Sequence, residues 1–305
     1  MKAIRIYERG GPEKLIYEEV PKPVPQEGEA LVCVHAVAIT PSELSWSAYT
    51  PEHLPTVVGH DVSGVVETIG HDVTEVKIGD PVYALADFWR DGGAAEYIVV
   101  RAGDLAQKPR TVDHVHAAAV PTSALTAWQA LFDHAGLVKG QRVLIHGASG
   151  GVGSYAVQLA HCRGLHVIGM ASTLSLEYVR KLGAEEAIDY KAAPFEDIIH
   201  DADAVLDTVG GETRARSWNV LRPGGVLVST VGPVSPEEFA QRGVRGMFFI
   251  VKPSRSQLIE IGDLIDAGAV RPMVAQILPL DQARQAFERG LRGHVQGKIV
   301  LRVIQ

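Results

Sequence analysis

Two cysteines in 305 residues, Cys33 and Cys162, each set in an apolar run, leave nothing for a disulfide framework and no pair at metal-ligand spacing. A reducing, cytoplasmic setting is the expectation. Cationic charge is also scarce: 29 Lys and Arg against 36 Asp and Glu give a net charge of -7, too acidic to draw the chain onto phosphate backbones or anionic lipid. Neither nucleic acid nor membrane is an expected partner. Long apolar runs are missing too. The opening MKAIRIYERGGPEKL is broken by charge too early for a signal-peptide core, and no later stretch offers the ~20 lipid-facing residues of a spanning helix. There are no repeats and no low-complexity tracts. The 46% of residues that are hydrophobic are enough to build one large or two medium globular domains.

The first third of the chain reads as β. AIRIY, LIYEEV, EALVCVHAVAI, DVSGVVETIG, PVYALA and AAEYIVV, between Ala3 and Val100, are short β-branched runs punctuated by Gly, Pro and Asp. From about Thr122 the period lengthens, with Leu125, Trp128, Leu131 and Phe132 at helical spacing. Strand-like and helix-like segments then alternate through RVLIHG, HVIGMA, EAIDY, DAVLDTV and GVLVSTVG, the mark of βαβ units and a parallel sheet. A last strand, GKIVLRV, closes the chain. The expected organisation is a β-rich domain from residues 1–117 and 270–305, interrupted by a parallel-sheet domain over 118–269.

The stretch HGASGGVGSYAVQLA, His146 to Ala160, puts four glycines in seven positions between a strand and an apolar-striped helix. One glycine there turns the chain, one lets backbone approach a pyrophosphate, and one lets helix and strand pack without an intervening Cβ. The helix N-terminus then presents unpaired N–H groups to the anion. No Lys-Ser or Lys-Thr follows the glycines, which argues against a phosphate loop of the nucleotide-hydrolase kind. Gly150 and Gly151 are accordingly expected to bind a dinucleotide.

The end of the second strand bears on which dinucleotide. NAD sites usually place an acid about 20 residues after the glycines, against the ribose hydroxyls. Here Met170, Ala171, Ser172 and Thr173 occupy that place, and the first acid is Glu177, a turn into the next helix. Ser172 and Thr173 are suited to donate to a 2′-phosphate with no carboxylate to repel it, so NADP(H) is the expected cofactor. Arg180 and Lys181 lie further along, where solvated roles are expected for at least one of them.

With these motifs in hand, the sequence resembles the medium-chain dehydrogenase/reductase superfamily, in its zinc-independent quinone oxidoreductase-like branch. The likeness runs through VVGHDVSGVVETIGHDVTEVKIGDPVYAL, AAAVPTSALTAWQAL, VLIHGASGGVGSYAVQLA, AVLDTVGG, LRPGGVLVSTVG and GKIVLRV. It implies an α/β fold made of a GroES-like β-barrel domain and a Rossmann doubly wound parallel-sheet domain. It also implies a homodimer, with VRGMFFIVKP as the sheet-edge strand. Matched residue by residue, it places Ser149, Gly151, Val152, Ser172 and Tyr190 along the adenosine half of NADPH, Thr126 at the nicotinamide end and Lys298 near the cleft. Thr40 of ITP stands where relatives often carry an Asn that touches cofactor or substrate. Of the residues after it, Trp46 and Tyr49 are candidates to wall a flat acceptor by stacking, and Tyr49 is the nearby hydroxyl to nominate as proton donor, with water as the competitor.

Zinc-dependent relatives bind their metal through Cys, His and Cys or Asp. Here His60 and Asp61 persist, but Thr40 or Pro41 holds the first cysteine position, the later one falls near Thr122, and the four-cysteine lobe is missing. Two adjacent residues fall short of the three protein ligands of an open zinc site, so no metal is expected and His60 is read as structural or cleft-lining. Without a Lewis acid to polarise an alcohol, reduction of an electrophilic small molecule, a quinone or an α,β-unsaturated carbonyl compound, is the favoured activity. Two alternatives stay open: a zinc-dependent alcohol dehydrogenase with a third ligand from elsewhere, and a nucleotide-binding sensor without turnover.

Overall fold

The computed structural model describes residues 1–235, 237, 239, 242–293 and 295–304, and they form two compact units, Met1–Thr122 with Lys252–Gln305, and Ser123–Val251. The second unit is built on six parallel strands: Arg142–Ile145, His166–Ala171, Glu186–Asp189, Ala202–Asp207, Leu221–Ser229 and Arg245–Phe248. Their order in space is 3-2-1-4-5-6. Such an order reverses between the first and fourth strands, and a doubly wound sheet binds its ligand outside the carboxyl ends at that switch point. Val143, Leu144, Ile145, Val167, Ile168, Val205 and Leu227 are fully buried. Covered on both faces, these strands carry continuous apolar runs and no alternation.

In the first unit, the strand Glu29–Ala38 is the hub. Its length pairs with Asp61–Ile69, its beginning with Tyr97–Arg101 and its end with Lys298–Arg302, which pairs in turn with Val274–Pro279. Pro81–Leu85 and Ala106–Gln107 continue the sheet beyond Asp61–Ile69, and a small sheet of Ile16–Glu19, Lys2–Ile6 and Thr56–Val57 completes the unit. Register slips at Leu31/Val32 and Val34/Ala36 are bulges that bend the hub strand, so that its side chains and those of its partners converge on one core with Val62, Ile98, Leu278 and Phe287. The fold is thus the α/β combination expected, a GroES-like barrel unit and a Rossmann-type unit.

Two points differ from the sequence reading. The return to the barrel unit begins at Lys252, not residue 270, and the first crossing falls after Thr122, not residue 117. The helix Arg255–Asp266 belongs to the barrel because its polar groups are anchored there. Tyr83 Oη donates to Leu258 O at 2.5 Å, Arg255 Nε to Leu105 O at 2.9 Å, and Asp266 accepts from the Arg110 and Thr111 amides at 3.1 and 2.9 Å. Helical periodicity alone does not reveal which unit a helix packs on. The strand Val274–Pro279 also escaped notice: it buries Leu278 alone, so it has no two-residue alternation to read.

Among the described residues no helix is long and apolar enough to cross a membrane, and both cysteines are free thiols. Tyr83→Phe, which deletes a hydroxyl from a fully buried side chain bonded to that helix, is expected to cost about 1–2 kcal/mol, read from the urea midpoint.

Candidate active site

The glycine turn begins where Arg142–Ile145 ends. Gly147 has φ +62°, and a Cβ on it would stand 2.5 Å from Thr208 Oγ1, so turn and neighbouring loop both require glycine. A Cβ on Gly153 would overlap Gly147 O and come within 2.7 Å of Ala148 Cα, which is how the helix Gly151–Cys162 seats closely on the turn. Gly150 is different: a Cβ there would meet Gly147 O at 3.3 Å and nothing else within 4 Å. The chain leaves room above Gly150. It is also the N-cap of the helix and supplies no side-chain cap, so the first-turn N–H groups remain for an anion. A cradle of this shape fits a diphosphate. Ser149, Gly151 and Val152 are all half-buried at its rim.

Two buried polar groups hold the surroundings of the turn. His146 Nε2 lies 2.8 Å from Ser217 Oγ, and the Ser217 hydroxyl donates to Thr213 O at 2.7 Å, so the imidazole donates to the serine through Nε2–H. Burial keeps His146 neutral, with its pKa pushed down to about 4. Asp207, with no exposed surface, accepts from Val209 N at 3.0 Å, Gly210 N at 2.7 Å and Ser229 Oγ at 2.9 Å, fixing the loops after two strands. Thr126 is buried on the helix Pro121–Trp128, which widens into a π-helical turn over Gln129–His134.

At the end of the second strand, Ser172 is half-buried and bonded to Ser175 Oγ at 3.4 Å, while Thr173 and Tyr190 are exposed. The structure corrects the expectation of no carboxylate here. Parallel pairing sets Asp189 beside Ala171, and the Thr173 hydroxyl donates to it, holding its carboxyl below the usual range. Pairing also brings a cation that sequence reasoning missed: Lys191, whose Nζ lies 5.7 Å from the Tyr190 ring centroid. Arg180 instead reaches Ala187 O, and Lys181 pairs with Glu177 at 3.7 Å.

The barrel unit gathers a second polar cluster at the start of Asp61–Ile69. Lys298 Nζ, on the last strand, is 2.9 Å from Asp61 Oδ2 and donates to Thr40 Oγ1 at 3.2 Å; the other Asp61 oxygen accepts from the Thr122 amide at 2.5 Å. His60 Nε2 lies 3.2 Å from Tyr49 Oη. Trp46 stacks on the same imidazole at 6.1 Å, and Phe88 meets it edge-on at 5.3 Å. Burial pushes the His60 pKa down to about 4. Tyr49, 1% exposed, is a core residue with its hydroxyl on His60, and burial raises its pKa well above the ordinary value. That placement argues against Tyr49 as acceptor wall or proton donor; Trp46, half-buried, is the aromatic that retains open surface. Glu43, which sequence reasoning passed over, is 1% exposed, and burial pushes its pKa up to about 8 against the opposing pull of Lys298.

Residues 182–301 match the family described as zinc-binding dehydrogenase, and residues 26–110 match the alcohol dehydrogenase GroES-like domain. A probable zinc-binding oxidoreductase, mitochondrial, of Arthroderma benhamiae is 37% identical over 304 residues, covering 93% of this chain and 92% of that protein. A mitochondrial NAD(P)H oxidoreductase of Mus musculus is 34% identical over 90% of this chain and 82% of its own. Among solved structures, the quinone oxidoreductase from Coxiella burnetii superposes with a TM-score of 0.94 at 33% identity, covering 100% of this chain and 99% of that one. The chain belongs to the medium-chain dehydrogenase/reductase superfamily, in its quinone oxidoreductase-like branch. It is an oxidoreductase of the pyridine-nucleotide kind, and the glycine cradle fits that cofactor.

Zinc, named in the matched description, fits less well. His60 Nε2 faces Tyr49 and leaves its buried Nδ1 without a partner, one nitrogen that could serve a metal, but the adjacent Asp61 is committed to Lys298 and Thr122. Among the described residues no three His, Cys, Asp or Glu side chains cluster at metal-binding distance.

Glu43 and His60 give the cluster opposite pH sensitivities. Between its ordinary 4.5 and about 8, Glu43 binds its proton more tightly folded than unfolded, so stability falls as pH rises through that range. His60 binds its proton more tightly unfolded, so stability falls as pH drops from 6.5 toward 4. These two groups together favour an optimum near pH 5–6. Glu43→Gln is expected to flatten the alkaline limb, gaining a few kcal/mol over the parent at pH 8.5 relative to pH 5, measured by urea unfolding across that range.

Proposed function

We propose that this chain is an NADPH-dependent reductase that delivers hydride to a quinone or an α,β-unsaturated carbonyl compound without a metal. The observation that carries this reading is the glycine turn from Gly147 to Gly153 with its room above Gly150 at the carboxyl end of the first strand. Its amides and the helix N-terminus hold the diphosphate, with Ser149 and Val152 at the rim. The bound nicotinamide supplies the hydride. An electron-poor acceptor needs orientation and hydrogen-bond donors and no Lewis acid.

The preference for NADPH rests on the hydroxyls of Ser172 and Tyr190 together with Lys191, whose ammonium is suited to pair with a 2′-phosphate and to offset Asp189, on which the Thr173 hydroxyl is spent. Lys191→Ala is expected to weaken NADPH several-fold and leave NADH unchanged. Ser172→Asp is expected to reverse the preference by repulsion. Fluorescence titration with both nucleotides measures each effect; unaltered NADPH-to-NADH ratios in both variants would count against this assignment. An acceptor screen following NADPH oxidation by quinones and enones tests the activity itself.

We propose further that the partner is a second copy of the chain, docked at the edge strand Arg245–Phe248. An open strand edge next to apolar Ile250, 61% exposed, invites pairing. Light scattering is expected to give two chains per particle, and Phe248→Lys to give one.

A further inference from the structure

A cavity of about 460 Å³ opens in the barrel unit between the strand Tyr97–Arg101 and residues 20–26, and every residue that lines it lies within Met1–Thr122. Its size is that of a small-molecule site. The sequence explains why it stays open. Tyr97–Arg101 pairs with the hub strand on one side, and the segment across the cavity carries Pro21, Pro23 and Pro25. Proline has no N–H to give, so that segment cannot zip onto the strand as a further ladder. Val20, Pro23, Val57 and Ile98 supply apolar walls. Two charged side chains of the lining keep hydrogen-bonding capacity to spare. Arg90 gives Nη2 to Glu29 Oε1 at 2.7 Å, and the other Glu29 oxygen accepts from Gln26 N at 2.9 Å. The remaining guanidinium donors have no partner among the described residues, and whichever Nη2 hydrogen Glu29 takes, one two-donor edge of the fork stays whole. Asp91 accepts from Thr56 Oγ1 and Val57 N, both at 2.9 Å, through Oδ1 alone, and among the described residues its Oδ2 has no hydrogen-bond partner. Arg5, also in the lining, is occupied by Pro55 O at 3.3 Å and Glu18 at 3.7 Å.

We propose that this cavity binds a small zwitterion with an apolar body, an aliphatic α-amino acid or dipeptide, its carboxylate on the open edge of Arg90 and its ammonium on Asp91 Oδ2. The charged side chains that line the cavity balance, Arg5 and Arg90 against Glu29 and Asp91. A ligand of one sign meets as much repulsion as attraction there, whereas one that carries both signs meets an opposite charge at each end. The planar guanidinium edge matches a carboxylate with two parallel hydrogen bonds. Arg90 and Asp91 are consecutive, so one short stretch grips both ends of the ligand, and that stretch is itself anchored. Besides the two bonds to Asp91, Arg90 N donates to Asp87 O at 3.2 Å and Gly92 N to Val57 O at 2.7 Å. The recognising groups are therefore held in place before a ligand arrives, which lowers the entropy lost on binding. The aliphatic part of the ligand removes the walls at Val20, Val57 and Ile98 from water. This site is independent of the reductase reading, since it needs neither the glycine turn nor a bound nucleotide.

The test is calorimetric titration of the full chain with L-leucine and with L-leucyl-L-leucine, beside isocaproate, which lacks the ammonium, and isoamylamine, which lacks the carboxylate. At least one of the two zwitterions is expected to bind, about tenfold or more tighter than either single-charge analogue. Which of the two binds tighter reports the length of molecule the cavity accepts. Arg90→Lys keeps a cation beside Glu29 and removes the fork, and is expected to weaken the zwitterion by about tenfold. Asp91→Asn keeps an oxygen for Thr56 and Val57 and removes the charge, so it is expected to weaken the zwitterion similarly while isocaproate binds at least as well as before. Val99→Trp, which fills the cavity from its strand wall, is expected to abolish binding. Melting temperatures report whether each variant is folded. No heat from either zwitterion at millimolar concentration overturns the proposal. So does a single-charge analogue that binds as tightly as the zwitterions, or an affinity unchanged in either Arg90→Lys or Asp91→Asn.

Discussion

The contact between Lys298 and Asp61 ties together parts of the chain that lie far apart in sequence. Through it, the last strand is held to the start of Asp61–Ile69, to the Thr122 amide where the barrel unit's first segment ends, and to Thr40 after the hub strand. Taking both charges out of water costs several kcal/mol each, and their attraction offsets this only where the remaining hydrogen-bonding positions are filled. Asp61 meets that condition, with one oxygen on the ammonium and the other on an amide. Such a pair adds little net stability over a well-packed apolar one, but losing either partner leaves a buried charge. Its effect is on register: Val300 pairs with Ala38, and a slip of one residue would turn Lys298 to the opposite face.

Around this pair the barrel interior accommodates two more ionisable groups by keeping them neutral. Glu43 holds its proton because burial outweighs the pull of Lys298, and His60 stays unprotonated because burial outweighs the pull of Asp61, Asp87 and Asp91. Two neutral side chains thus lie beside the ion pair of Lys298 and Asp61. The same arrangement gives His60 and Asp61, adjacent in sequence, separate sets of partners. His60 stands just before the strand that Asp61 begins, and each is drawn into a different set of partners, aromatic for the histidine and ionic for the aspartate.

The parts of the site that were legible in the sequence are those whose cause is local. The glycine turn was visible because its constraints, a left-handed φ at Gly147 and a close approach at Gly153, act within a few residues of strand and helix. The strands of the parallel sheet were visible because burial on both faces writes continuous apolar runs. Asp189 and Lys191 were not, because their nearness to the end of the second strand is created by pairing of strands some twenty residues apart. Tyr49 shows a related limit: an aromatic in a loop looks the same in sequence whether it faces a ligand or completes a core, and this one is 1% exposed with its hydroxyl on His60. The helix Arg255–Asp266 shows the same limit at domain scale, its periodicity being legible and its allegiance to Tyr83 and Thr111 not.

Asp207 and Asp61 show what the charge at Lys298 adds. Both are buried carboxylates at strand ends, and both accept backbone amides that fix a neighbouring segment. Asp207 is satisfied by neutral donors alone, two amides and the Ser229 hydroxyl. Burial of an aspartate in this chain therefore does not by itself demand a cation, and a hydroxyl or amide opposite Asp61 would have met the same need with one fewer charge to desolvate. What a neutral donor would not supply is a positive charge behind the Thr40 oxygen. Lys298 reaches that oxygen as well as the carboxylate, and the fold bears the cost of burying an ammonium where its second contact polarises a hydroxyl with an open side. The unit with the glycine turn holds Asp207 with neutral donors, and the barrel unit holds Asp61 with an ammonium that also reaches a hydroxyl.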